Sequence, residues 1–225
     1  MAGFFYFLVG IFGGFSEGYV DLKLYVAGNA AATAQNIVMN PGLVRLGVMA
    51  HLLDAVFFVC TALTLYILLK DTRKSMARAM LVFVVLAAGI IALNSIFQFE
   101  ALRVATDSTY SAAFGVAGSQ ALVMLLLDMQ HYGTLAAQVF FGLWLAPLGY
   151  LVYKSKLFPK SLGVILIVGC IGYLLDLLAA FMVPDLKIHA LVVTPSAIAE
   201  IWMVLYLLVV GVRTQKTNTS SERTS

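Results

Sequence analysis

Read from its first residue, the chain alternates long apolar runs with short polar breaks. The runs cover about 3–20, 43–69, 79–102, 131–153, 162–182 and 195–212. Each is roughly 17 to 27 residues long, the length with which an α-helix crosses about 30 Å of hydrocarbon. The pattern therefore predicts an all-α fold, a polytopic membrane helix bundle with six transmembrane helices. Two further stretches carry helical signals at lower hydropathy. Residues 29–41 open on Asn29, a good N-cap, run through alanines and stop at Pro41, which predicts a short interfacial helix. Residues 108–130 hold Ala112, Ala113, Ala121 and the run Leu125-Leu126-Leu127 before Asp128. They read as a second interfacial helix or as the upper part of a long fourth span. Residues 29–102 and 108–182 share this layout, with too little residue-level similarity to define a repeat.

The polar breaks carry the orientation. With both termini in the cytoplasm, the inner side holds Lys70, Arg73, Lys74, Arg78, Lys154, Lys156, Lys160, Arg213, Lys216 and Arg223. The outer side keeps Lys23, Arg45, Arg103 and Lys187. Ten basic residues against four follow the positive-inside rule, so we expect a multi-pass protein of the cell membrane with cytoplasmic N- and C-termini. The first run lacks a basic start and a small-x-small cleavage site and contains Glu17, which reads as a retained helix and not a signal peptide. Residues 1–212 are expected to form one transmembrane domain. Residues 213–225, polar and without periodicity, read as a disordered cytoplasmic tail.

Composition sharpens the class. Hydrophobic residues make up 62% of the chain and charged ones 11%, whereas soluble domains carry roughly 45–50% and about 25%. No water-soluble fold of this size hides that much apolar surface, so the lipid bilayer is the first expected partner. The formal charge of +3 is spread over short loops with no basic patch, which argues against a nucleic-acid partner. Cys60 and Cys170 lie mid-run, where a thiol packs as a small hydrophobe and a disulfide is not expected. No nucleophile elbow, phosphate-binding loop, dinucleotide fingerprint or HExxH motif occurs.

Against that background five ionisable residues fall inside apolar runs: Glu17, His51, Asp54, Asp176 and Glu200. An acid at the centre of a spanning helix costs about 2.5–3.5 kcal/mol on insertion scales, so several together imply a polar interior. All lie in the outer half of their spans, as do Asn94, Gln98, Glu100, Asp128 and His131. The simplest arrangement is one acid-lined cavity opening outward. Helical spacing lets them converge: Gly10, Gly13 and Glu17 form one stripe, as do Gly169, Gly172 and Asp176, and His51 shares a face with Asp54. Asp128, His131, Gln138, Gly142 and Gly149 fall on one arc of the fourth span, and Asn94 and Gln98 are one turn apart on the third.

These residues support three functional classes. Glu17, Arg45, Asn94, Gln98, Asp176 and Glu200 are the candidate ligand-binding set for a small polar or cationic molecule, bound or moved with protons. His51, Asp54, Asp128 and His131 are the candidate ligands of a divalent metal, which would make the protein an intramembrane metal-dependent hydrolase. Haem held by His51 and His131 has no supporting motif. The third class is a structural scaffold in which the acids pair with Arg45 or Arg103. The sequence leaves enzyme, carrier and scaffold open, along with the oligomeric state. His189, in a polar segment, reads as merely solvated. Pro147 frees the Leu143 carbonyl and predicts a kink, and Phe140, Phe141, Trp144, Tyr150 and Tyr153 read mostly as lipid-facing or interfacial anchors.

The stretches GNAAATAQNI, VRLGVMAHLLD, LDMQHYGTLAAQVFFGLWLAPLGYLVYKSKLFPKSLGVILIVGCIGYLLD and IAEIWMVLYLLVVGV resemble bacterial multi-pass membrane proteins grouped as domain of unknown function 4386 (DUF4386). The resemblance covers nearly the whole chain and touches Glu17, Arg45, Asp176 and Glu200 at matching positions. It implies a bundle of six or seven helices and no assigned activity. The chain departs from that pattern at Gln130, where the resemblance implies a histidine, and at His51, where it often implies an acid.

Overall fold

Helix α1 runs from Ala2 to Leu24, but not as one regular helix: it is α-helical to Phe15, widens into π-helical turns over Ser16–Asp21, and closes with Leu22–Leu24. Ser16 at the transition is buried because its hydroxyl donates to the Phe12 carbonyl at 2.8 Å. The remaining elements of this computed structural model are α2 (Ala30–Met39), α3 (Pro41–Leu69), α4 (Lys74–Thr106), α5 (Ser108–Lys154), α6 (Lys160–Met182) and α7 (His189–Val210, π-helical from Tyr206). The structure describes residues 1–183, 186 and 188–211. The expected tail at 213–225 lies outside the described residues.

Among the described residues six helices, α1 and α3 to α7, are long and apolar enough to cross a membrane, and α2 is the short helix expected between the first two. Asn29 caps α2 as its position predicts, its side chain accepting from the Ala32 N–H at 3.0 Å, and Pro41 occupies the first turn of α3, where its missing N–H costs nothing. Residues 108–130 resolve as the upper part of α5. Asp107 starts that helix by accepting from the Thr109 N–H and hydroxyl, bonds that hold its carboxyl below the usual carboxylate range. The backbone stays helical through Pro147; the break falls at Gly115, whose φ of 71° suits only a residue without Cβ.

Helix α5 is the hub: 56% of its apolar stretch is buried, against 22% in α1 and α7. The core around it joins Tyr6, Phe58, Leu65, Met80, Trp144, Leu148, Leu162 and Met203, one or two from each spanning helix. Their outward neighbours, such as Phe4, Leu86, Val164, Ile171 and Leu205, are exposed and apolar, as a lipid-facing surface requires. A second core, with Val20, Ile37, Val44, Leu102 and Val123, lies under α2 at the end away from the basic turns. It includes Val104 of α4 and Val123 and Leu127 of α5, which lie beyond the expected ends of their spans.

Small residues set the crossings. A Cβ on Gly163 would stand 2.7 Å from the Gly149 carbonyl, and the reverse is equally true, so α5 and α6 touch backbone to backbone. Gly169 and Gly172 face Ser196 and Val192 of α7, as their shared stripe predicts. The α1 stripe is different. Gly3, not Gly10, packs against α7 at Leu207, and Gly10 faces open space.

Candidate functional site

Between α1, α3, α5, α6 and α7 lies a cavity of two lobes. The first, about 340 Å³, is walled by Glu17, Asp54, Glu200, Phe58, Trp144 and Tyr173 among others. The second, about 370 Å³, lies toward α2 and includes Asp21, Tyr25, Gln98, Gln130 and His131. Glu17, Thr134, Gln138 and His189 line both, so the lobes are neighbours across a shared wall.

The wide turn in α1 places the acids. Glu17 and Asp21 are four apart, and with about 4.4 residues per turn both point inward instead of drifting around the helix. Glu17 is exposed and lines both lobes. Asp21 is the meeting point of four helices: its Oδ1 accepts from Gln98 Nε2 of α4 at 2.7 Å, and its Oδ2 accepts from Gln130 Nε2 of α5 at 3.2 Å and lies 3.2 Å from His51 Nε2 of α3. His51 and Gln130 approach to 3.3 Å.

Glu200 of α7 is held at both oxygens, accepting from the Tyr6 hydroxyl of α1 at 2.8 Å and from the Tyr173 hydroxyl of α6 at 2.9 Å. Asp176, 3% exposed, stands behind the first lobe; it accepts from Gln138 Nε2 at 2.7 Å and meets His189 Nδ1 at 2.9 Å. Asp54 is different. It is 6% exposed and its Oδ1 has no hydrogen-bond partner among the described residues.

Of the sequence-read ligand set, Glu17, Gln98 and Glu200 line the two lobes, and Asp176 touches them through Gln138 and His189. Asn94 is buried against Gly133 of α5, and Arg45 is exposed on α3, with no ion pair to it among the described residues. The expected pairing of the acids with Arg103 is not seen, because Arg103 bonds Glu100 on its own helix at 3.0 Å. The metal set does not gather: His51 meets Asp21, Asp54 faces Gly13, Asp128 accepts from the Tyr25 hydroxyl at 2.6 Å, and His131 stacks on the Tyr25 ring. Among the described residues no three His, Cys, Asp or Glu are grouped as metal ligands. Burial and the Asp128 carboxylate raise the Tyr25 hydroxyl above its usual range.

Three expectations change. His189 is not merely solvated, since it contacts Asp176 from the first turn of α7. Trp144 is 1% exposed, in edge contact with Phe58 and Tyr6, not facing lipid. Tyr150 accepts from Arg73 at 3.1 Å, so it fastens a basic turn. Sequence reading missed Asp21, Gln130, Tyr6 and Tyr173. Their signals were an acid four residues after Glu17 and two tyrosines at helix depths far from an interface.

Gly13 lies directly opposite Asp54, where a Cβ would sit 3.4 Å from Oδ1. Gly13→Leu is expected to lower stability by about 1–3 kcal/mol through overpacking, while Gly10→Leu leaves it unchanged. Thermal melting in detergent measures both; equal melting points would mean that the Gly13 side does not pack on α3.

Fold and cavity together define a helical bundle of membrane type with buried, hydrogen-bonded carboxylates. The chain belongs to the family described as Domain of unknown function (DUF4386), whose model matches residues 1–211. It is 27% identical over 147 residues to an uncharacterized protein of Archaeoglobus fulgidus, a match covering 65% of this chain and 75% of the relative. No solved structure matches it.

Proposed function

We propose that this protein binds a small organic cation within the membrane, taking it from the side opposite the basic turns. One observation carries the reading: Glu17, Asp21, Asp54 and Glu200 line the two lobes, and no lysine or arginine does among the described residues. Asp54 is buried with no basic side chain bonded to it, and Glu200 is held only by tyrosine hydroxyls; such carboxylates are costly, and a bound ammonium offsets that cost. The walls favour an organic cation over a bare metal ion. Phe58, Phe141, Trp144 and Tyr173 surround the acids of the first lobe, and aromatic faces attract ammonium groups by roughly 0.5–2 kcal/mol each. Each lobe falls within the usual range of small-molecule sites, about 300–1,000 Å³.

The side of entry follows from charge. The basic turns at Lys70–Lys74 and Lys154–Lys160 lie at the end away from α2, and the second lobe lies toward α2. The positive-inside rule then turns the second lobe to the outer face of the cell membrane, with both termini cytoplasmic.

A structural role is the second reading, and Glu200 favours it by tying α1, α6 and α7 together. The test that separates ligand from scaffold is calorimetry on detergent-purified protein at neutral pH with butylamine and with butanol. Binding of the amine and not of the alcohol is expected. Equal response to both, or to neither, defeats the cation reading.

A further inference from the structure

Helices α1 and α7 meet at the end near the basic turns and part toward the other. A Cβ on Gly3 would stand 2.8 Å from that of Leu207, and one turn further the Tyr6 hydroxyl reaches Glu200. Gly10 and Gly14 continue the Gly3 side of α1, and nothing stands within 4 Å of where their Cβ atoms would be. Both are exposed, as is Ala197 on α7. The first lobe borders this gap: Val9, Gly13 and Glu17 of α1 line it on one side, and His189, Val193 and Glu200 of α7 on the other.

Depth decides what the gap opens onto. Glu200 stands about half way along α7 and Asp54 about half way along α3, so the lobe reaches into the hydrocarbon layer. The lips of the gap are exposed and apolar, Phe7 and Ile11 on α1 and Ile198 and Ile201 on α7. Inside, Asp54 is 6% exposed and its carboxylate receives no hydrogen bond from any described residue; Oδ1 is shut off beside Gly13, which leaves Oδ2 to meet the lobe. A buried carboxylate in that state calls for a donor or a cation. Hydrocarbon beside the gap excludes a bare hydrophilic ion and accepts an alkyl chain. Resting on the cation reading above, we propose that the ligand is a single-chain amphiphilic amine drawn from the leaflet on the α2 side, its ammonium seated at Asp54 and Glu200 and its tail leaving over Gly10 and Gly14, between α1 and α7, into the bilayer.

The experiment measures radiolabelled hexadecylamine and hexadecanol held by lipid nanodiscs that carry the full chain, in excess of empty nanodiscs of the same lipid, with butylamine titrated by calorimetry as above. The parent is expected to retain the long amine and not the long alcohol. Gly10→Leu, which fills the gap without touching a neighbour, should weaken hexadecylamine about tenfold or more by crowding its tail and leave butylamine unmoved. Butylamine binding without retention of hexadecylamine, or hexadecylamine held equally by parent and Gly10→Leu, overturns the lateral path and leaves the cation reading standing. Failure of both amines overturns both. A parent that forms a dimer which Gly10→Leu returns to single chains means that a second copy fills the gap, and this too overturns the inference. The comparison of long amine with long alcohol needs no variant, so equal retention of the two overturns the proposal even where Gly10→Leu does not fold.

Discussion

Trp144→Ala is expected to destabilise the bundle by about 3 kcal/mol, near the lower end of the range for buried aromatic truncations in soluble cores. Trp144 is 1% exposed and stands at the junction of three helices, its ring 5.1 Å from that of Phe58 and 5.7 Å from that of Tyr6. In a bilayer the transfer of apolar surface from water contributes little to helix association, because lipid is as apolar as the core. What remains is the loss of packing around an emptied volume, hence the lower figure. Trp202 supplies the control. It is 36% exposed on the outer surface of α7, and Trp202→Ala is expected to cost less than about 1 kcal/mol. Reversible unfolding in mixed micelles measures both, and equal losses would contradict the central position of Trp144.

Glu200→Gln is expected to weaken binding of a small alkylammonium about 100-fold with little change in melting temperature. The amide keeps the size of the carboxylate, accepts from one tyrosine hydroxyl and donates to the other, so the link between Tyr6 and Tyr173 survives while the charge is gone. Removing one member of a desolvated charge pair typically costs 2–5 kcal/mol, which sets the size of the affinity loss. Glu200→Ala behaves differently: it leaves two buried hydroxyls without their acceptor, at about 1–3 kcal/mol of stability each. Titration and melting of both variants separate a binding role from a structural one. A Gln variant that binds the amine as well as the parent would remove Glu200 from the site and favour the scaffold.

The parts of this architecture that depend on long apolar runs were readable from the sequence, because hydropathy over about 20 residues reports directly on the bilayer. So were Asn29 as a cap and the Gly169–Gly172 face. Errors cluster where protein, not lipid or water, surrounds the helix ends. The first span was expected to end at residue 20; α1 instead runs to Leu24 under the cover of α2, and Asp21 becomes the hub of four helices. Similarly, α7 begins at His189, six residues before the expected start, and Pro195 lies within the helix. Gln130, Tyr6 and Tyr173 carry no charge and so gave no anomaly in an apolar run. Their importance comes from partners more than 25 residues away, which one chain read in order does not reveal.

The chain contains two tryptophans, and the fold has given them opposite surroundings. Trp144 lines the first lobe with Phe58 and Tyr173, and Trp202 looks away from the bundle. Their emission therefore divides into an inner and an outer signal. Water-soluble quenchers and lipid-borne quenchers should act on Trp202 first, while anything that enters the lobe perturbs Trp144. With Trp202→Phe the protein carries a single tryptophan, and occupancy of the cavity can be followed in reconstituted vesicles without a label.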